Sequence, residues 1–197
     1  MISSTIKKRC KISTIATIDF LLLPKNQPWQ RVPGDGKVTL YWDRVAEESL
    51  DPVTKEKDFQ GYKIYKATDP NFNDVRNITD ANGLIQGYST LAQFDKKDEI
   101  NGYFYPSKNL FQDTKGYSFY LGDDSGLVHS YIDRDVQNGR TYYYALVAYD
   151  HGDEEKDIFP SENSKFISVL PTGEIITDQN TAYITPTSSA AGYSLND

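Results

Sequence analysis

An all-β fold, most simply a two-sheet sandwich, is what this sequence predicts. Three observations lead there. Apolar and polar residues alternate with period two in several short runs, the mark of half-buried strands. Tyrosine is over-used, with 15 Tyr against 9 Phe and 2 Trp. Short runs of Tyr, Thr, Val and Ile favour strands. No helical period of ten or more residues occurs in the 197 residues.

The elements follow in order. Residues 1–33 read as an N-terminal extension or linker. Its basic cluster Lys7-Lys8-Arg9 precedes an apolar run from Ile12 to Leu23, but Asp19 interrupts the run and no small-residue cleavage site follows. No apolar run approaches the ~20 residues that a membrane span needs. A Pro/Gly-rich stretch, 24–36, ends in a turn. From Lys37 to Asp43, Val38, Leu40 and Trp42 share one face, so this is a half-buried strand. Gly61 to Ala67 is a second strand. Residues 69–125 are irregular and too long for a structureless loop in a compact domain, so they should fold as an insertion with small hairpins. Short strand candidates within it are 103–105 and 117–121. Leu127 to Ile132 is a third main strand, and Asn138-Gly139 marks a turn. The run from Thr141 to Tyr149 is apolar or aromatic on both faces and should be covered on both sides. Lys165 to Leu170 is the last strong strand. Beyond Pro171 lies a C-terminal extension, 171–197, with weak strand signals at 174–177 and 182–185.

The composition limits function. Net charge is −7, the wrong sign for a nonspecific nucleic-acid binder. The single Cys10 cannot form an internal disulfide, and its place near the chain start makes it a poor nucleophile candidate. His129 and His151 are the only histidines and have no zinc-ligand spacing. Neither Gly-x-Ser-x-Gly nor a phosphate-cradling glycine loop is present. The expectation is that the chain is not an enzyme and has no catalytic residues.

Four runs carry a family likeness: Val38-Thr-Leu-Tyr-Trp42, Phe59-Gln-Gly-Tyr-Lys-Ile-Tyr65, Val136-Gln-Asn-Gly-Arg-Thr-Tyr142-Tyr-Tyr144-Ala-Leu146-Val-Ala148, and Ser161-Glu162-Asn-Ser164. Together they resemble a fibronectin type III module, an immunoglobulin-like β-sandwich. The likeness covers about 34–68 and 126–170. It implies a sandwich over 34–170, with insertion 69–125 between its middle strands. It implies too that Trp42 lies between the sheets and that the Tyr142 hydroxyl bonds back to the preceding loop. Ala67-Thr-Asp-Pro-Asn-Phe-Asn-Asp, Ala92-Gln-Phe-Asp, Tyr120-Leu-Gly-Asp-Asp and Ala148-Tyr-Asp-His-Gly-Asp are similar to a subset of such modules in long, multidomain, secreted bacterial surface proteins. An extracellular or cell-surface location is what that implies.

The sharpest polar cluster runs from Asp69 to Asp80. Asp69, Asn71, Asn73 and Asp80 place oxygen ligands at positions 1, 3, 5 and 12 of a calcium-loop frame. Position 6 is Asp74 where such a loop uses Gly, and position 12 is Asp rather than Glu. The competing reading is an Asx-rich turn whose side chains bond their own backbone. A second acidic group, Asp150 to Asp157, is a solvated loop or a second cation site. The tyrosines and phenylalanines of 62–120 form the insertion's own small core or an exposed surface for sugar rings. The leading expectation is a non-enzymatic module of a larger secreted or cell-surface protein, acting in structure, adhesion or assembly and stabilised by Ca²⁺. Its partners would be other domains of a larger chain, neighbouring copies or polysaccharide, with no nucleic acid and no membrane span. The alternatives are a carbohydrate-binding module using exposed Tyr and a self-assembling filament subunit.

Overall fold

The computed structural model describes residues 29–50, 55–105 and 117–189. Cys10, the Lys7–Arg9 cluster and Asp51-Pro52 lie outside them.

The protein is all-β, built of several antiparallel sheets, with two short 3-10 turns, 45–48 and 73–75, among the described residues. The strands among the described residues are β1 (Gln30–Gly34), β2 (Lys37–Tyr41), β3 (Phe59–Ala67), β4 (Ile78–Thr79), β5 (Ile85–Gly87), β6 (Ala92–Asp95), β7 (Gly102–Tyr103), β8 (Tyr120–Gly122), β9 (Ser130–Asp133), β10 (Tyr142–Asp150), β11 (Ile167–Val169), β12 (Ile175–Thr177) and β13 (Thr181–Ile184). Two sheets dominate. One has strand order β1-β2-β9 and the other β13-β10-β3-β6. The pairs β4-β5, β7-β8 and β11-β12 are separate two-stranded ribbons.

The alternation in β2 does what period two requires. Val38 and Leu40 are buried while Lys37 and Tyr41 face out. The two residues join Trp29, Trp42, Tyr62, Ile64, Tyr142, Tyr144 and Leu146 in a single cluster drawn from both large sheets. Full burial of one such aliphatic side chain is worth about 1.5–3 kcal/mol. A polar clasp crosses the same cluster. The Asp133 carboxylate of β9 accepts the Tyr144 hydroxyl of β10 at 2.6 Å and lies 2.9 Å from the Lys66 ammonium of β3. A buried carboxylate held this way is costly to orphan.

Strands β3 and β10 are central and pair over their whole length, from Tyr143↔Ala67 to Asp150↔Phe59. Both are buried on both faces. On β10 the face bearing Tyr142, Tyr144, Leu146 and Ala148 enters the first cluster; Ala145 and Val147 enter a second with Tyr65 and Phe72; Tyr149 enters a third with Phe104, Phe119 and Leu121. The Gln137 N–H donates to the Tyr142 hydroxyl at 2.9 Å, tying the strand to the loop before it. Gly61 is required where β3 meets β6. A Cβ there would lie 2.4 Å from the Phe94 carbonyl oxygen and 2.8 Å from the Tyr149 hydroxyl.

Several elements sit differently from the sequence expectation. β6 arises inside the insertion, yet it is an edge strand of the four-stranded sheet, with Tyr62↔Phe94 in register. β13 lies within the segment set aside as 171–197 and pairs with β10. β1 begins within the segment set aside as 1–33. β11 spans only Ile167–Val169 and leaves the large sheets to pair with β12, because Pro171 and the turn at Gly173 fold the chain back on itself. No helix among the described residues is long and apolar enough to cross a membrane.

Candidate functional site

Period two places Lys63 and Tyr65 on the β3 face opposite Tyr62 and Ile64. That outer face is where the insertion docks. Phe104, Phe119 and Leu121 pack on Tyr149 of β10, and Phe159 stands edge-on to Phe104 at 5.4 Å between ring centroids and to Phe119 at 6.2 Å. Between this aromatic cover, the β4-β5 ribbon and the strand face lies a cleft of about 590 Å³. Tyr65, Tyr88, Tyr103, Tyr117, Phe119, Tyr120 and Phe159 supply its rings, and Gln86, Gln93, Thr90, Ser118, Lys63 and Glu162 its polar groups. Its volume is that of a small-ligand site, and its lining mixes aromatic rings with a comparable number of polar side chains.

The floor of the cleft is a compact polar cluster. The Tyr65 hydroxyl donates to Glu162 Oε2 at 2.7 Å. The ammonium groups of Lys63 and Lys165 stand 3.5 Å from Oε2 and Oε1 of the same carboxylate. Lys63 Nζ lies 3.6 Å from the Phe119 ring centroid and Lys165 Nζ 3.7 Å from that of Tyr88, both cation–π distances. Burial lowers the Lys63 amine to about 8, against the opposing pull of Glu162. Burial lowers Lys165 as well. The Tyr65 hydroxyl is pushed up by burial and by the Glu162 charge, so it stays a donor. At the rim, the rings of Tyr103 and Tyr120 meet at 5.0 Å, and Tyr103 is 53% exposed. A hydrogen bond to Asp123 raises Tyr120 to about 12. The arrangement can stack rings against a ligand at the rim and offer it hydrogen bonds and charge at the floor.

The calcium candidates lie elsewhere. Asp69 Oδ2 accepts both the backbone N–H and the side-chain amide of Asn73, at 3.0 and 2.7 Å. Asn71 is exposed. Asp80 turns into the β4-β5 ribbon, where it accepts the N–H groups of Asn82 and Leu84 and the Gln86 amide. The structure thus brings Asp69 and Asn73 into contact and gives Asp80 a different set of partners. In the second acidic group, Asp150 accepts the N–H groups of Gly152 and Ser161 and anchors its loop, while Asp153 pairs with Lys156. Among the described residues no group of three or more His, Cys, Asp or Glu side chains is placed to hold a metal ion.

Sequence reasoning had Tyr65, Tyr88, Tyr103, Tyr117, Phe119 and Tyr120 as an aromatic group but not the charges beneath them. Lys63 on the outer face of a strand reads as solvated, and Glu162 and Lys165 lie about a hundred residues away. Only the docking of the insertion makes them one site. No family model, curated protein or solved structure matches this chain.

Proposed function

We propose that the chain is a non-enzymatic adhesive module of a larger secreted or cell-surface protein, a fibronectin type III-like sandwich that binds saccharide in the cleft between β3 and its insertion. The observation that carries this reading is the aromatic lining of that cleft, with the paired Tyr103 and Tyr120 rings at its rim and the amides of Gln86 and Gln93 within. Sugar rings present C–H faces to aromatic rings, and their hydroxyls can donate to the amide oxygens of Gln86 and Gln93, whose nitrogens are held by Asp80 and by Tyr149 and the Tyr120 carbonyl. The fold assignment is supported by the three- and four-stranded antiparallel sheets that share one cluster around Trp42, and by the Gln137-to-Tyr142 hydrogen bond.

Affinity electrophoresis through gels containing individual polysaccharides tests the proposal. Retardation by at least one polysaccharide is expected. Tyr103→Ala and Tyr120→Ala should each weaken it by roughly tenfold, a loss of about 1.4 kcal/mol. Tyr103 is exposed, so its removal should leave the melting midpoint nearly unchanged. Free migration through every polysaccharide would overturn the saccharide reading and leave a spacer module.

A further inference from the structure

The floor of the cleft holds more positive charge than negative. Glu162 is the acidic group there, and both of its oxygens are taken up, Oε2 by the Tyr65 hydroxyl and Lys63 and Oε1 by Lys165. Two ammonium groups therefore face one carboxylate. The two are not equivalent. Lys165 is stacked on Tyr88 and Tyr65 behind the wall, whereas Lys63 lines the cleft itself. An ammonium has three donors and no acceptor. Among the described residues, Glu162 at 3.5 Å is the one polar partner of Lys63 Nζ, which is flanked by the Phe119 and Tyr149 rings and lines the cleft. A desolvated cation with unused donors favours an acceptor that brings negative charge. The chain as a whole carries −7, which makes a local positive surplus a selective feature rather than a general one.

We infer that the cleft selects acidic saccharides, with a uronate carboxylate bound at the Lys63 ammonium while the sugar ring stacks on the aromatic wall. This inference rests on the saccharide reading above. Neutral sugars would leave the Lys63 donors unmet.

Calorimetric titration of the full chain with short oligogalacturonate and oligomannuronate, each as free acid and as methyl ester, tests it. The ester keeps the sugar and removes the charge. At least one free acid should bind roughly tenfold more tightly than its ester. Lys63→Met should shrink that difference to within about twofold. Should Lys63→Met fail to fold, the wild type supplies the second measurement. Its preference for acid over ester should fall as salt is raised to about 0.5 M, while ester binding holds. Equal binding of acid and ester would overturn the inference and leave the saccharide reading standing. Binding of neither, with no polysaccharide retarding the chain, would overturn both. Tighter binding of oligoglutamate than of either uronate would make the ligand an acidic peptide instead.

Discussion

Lys63 concentrates the energetics of the cleft in one residue. Its amine has an ordinary value near 10.5 and is lowered to about 8 by burial among Phe119, Tyr149 and Tyr65, with Glu162 opposing and Lys165 reinforcing the shift. Between pH 8 and 10.5 the unfolded chain holds a proton that the folded chain has released, so this residue makes stability rise with pH across that window. Below pH 8 its cost is constant. The buried tyrosines, whose hydroxyls are pushed up, act in the opposite sense only above about pH 10. Urea denaturation of wild type and Lys63→Met between pH 8 and 10 should therefore show the wild type gaining on the variant, by on the order of 2 kcal/mol. A constant gap would mean that the Lys63 amine is not desolvated. The sequence held no sign of this. The alternation that marks β3 as a strand also puts Lys63 on its outer face, where a lysine is ordinarily wet. For Tyr142, by contrast, the family likeness implied a bond to the preceding loop, and its hydroxyl accepts the Gln137 N–H five residues earlier.

The elements show the same division between local and distant causes. β2 and β10 were readable because one has a clean alternation and the other a run apolar on both faces, which burial in a sheet demands. β6 was not, since Ala92–Asp95 is four residues long and becomes a strand only by pairing with β3, some thirty residues back. β13 gave only the weak strand signal at 182–185, and its pairing with β10 could not be read from so short a run. The 69–80 loop illustrates how a polar pattern reads two ways. The side chains of Asp69, Asp74 and Asp80 already accept donors from within their own loop or ribbon. Thr68 bonds Asp74 through both its N–H and its hydroxyl. A loop satisfied by its own donors gains little from an ion, so melting midpoints with calcium and with a chelator should agree within about 1 °C. A midpoint several degrees higher in calcium, reversed by the chelator and lost in Asp69→Asn, would restore the calcium reading of Asp69, Asn71, Asn73 and Asp80.

On the scale of the whole molecule, two apolar layers share the central strands. The first draws on both large sheets around Trp42 and Tyr144; the second lies on the other face of β3 and β10, where the insertion covers it. The second layer does two things at once: it stabilises the docked insertion and it takes Lys63 out of water. Phe119 joins them, since its ring meets Tyr149 at 5.8 Å and Phe159 at 6.2 Å and sits over Lys63 Nζ. Truncation to Phe119→Ala should cost about 3–5 kcal/mol, the usual loss for a buried phenylalanine. It should also admit water to Lys63 and restore its ordinary affinity for a proton. The rise in stability between pH 8 and 10 would then vanish along with the ring, and retardation by polysaccharide with it. If Phe119→Ala loses stability but keeps the wild-type dependence on pH, then the sheet alone, not the insertion, desolvates Lys63. The site would in that case belong to the strand face without its cover.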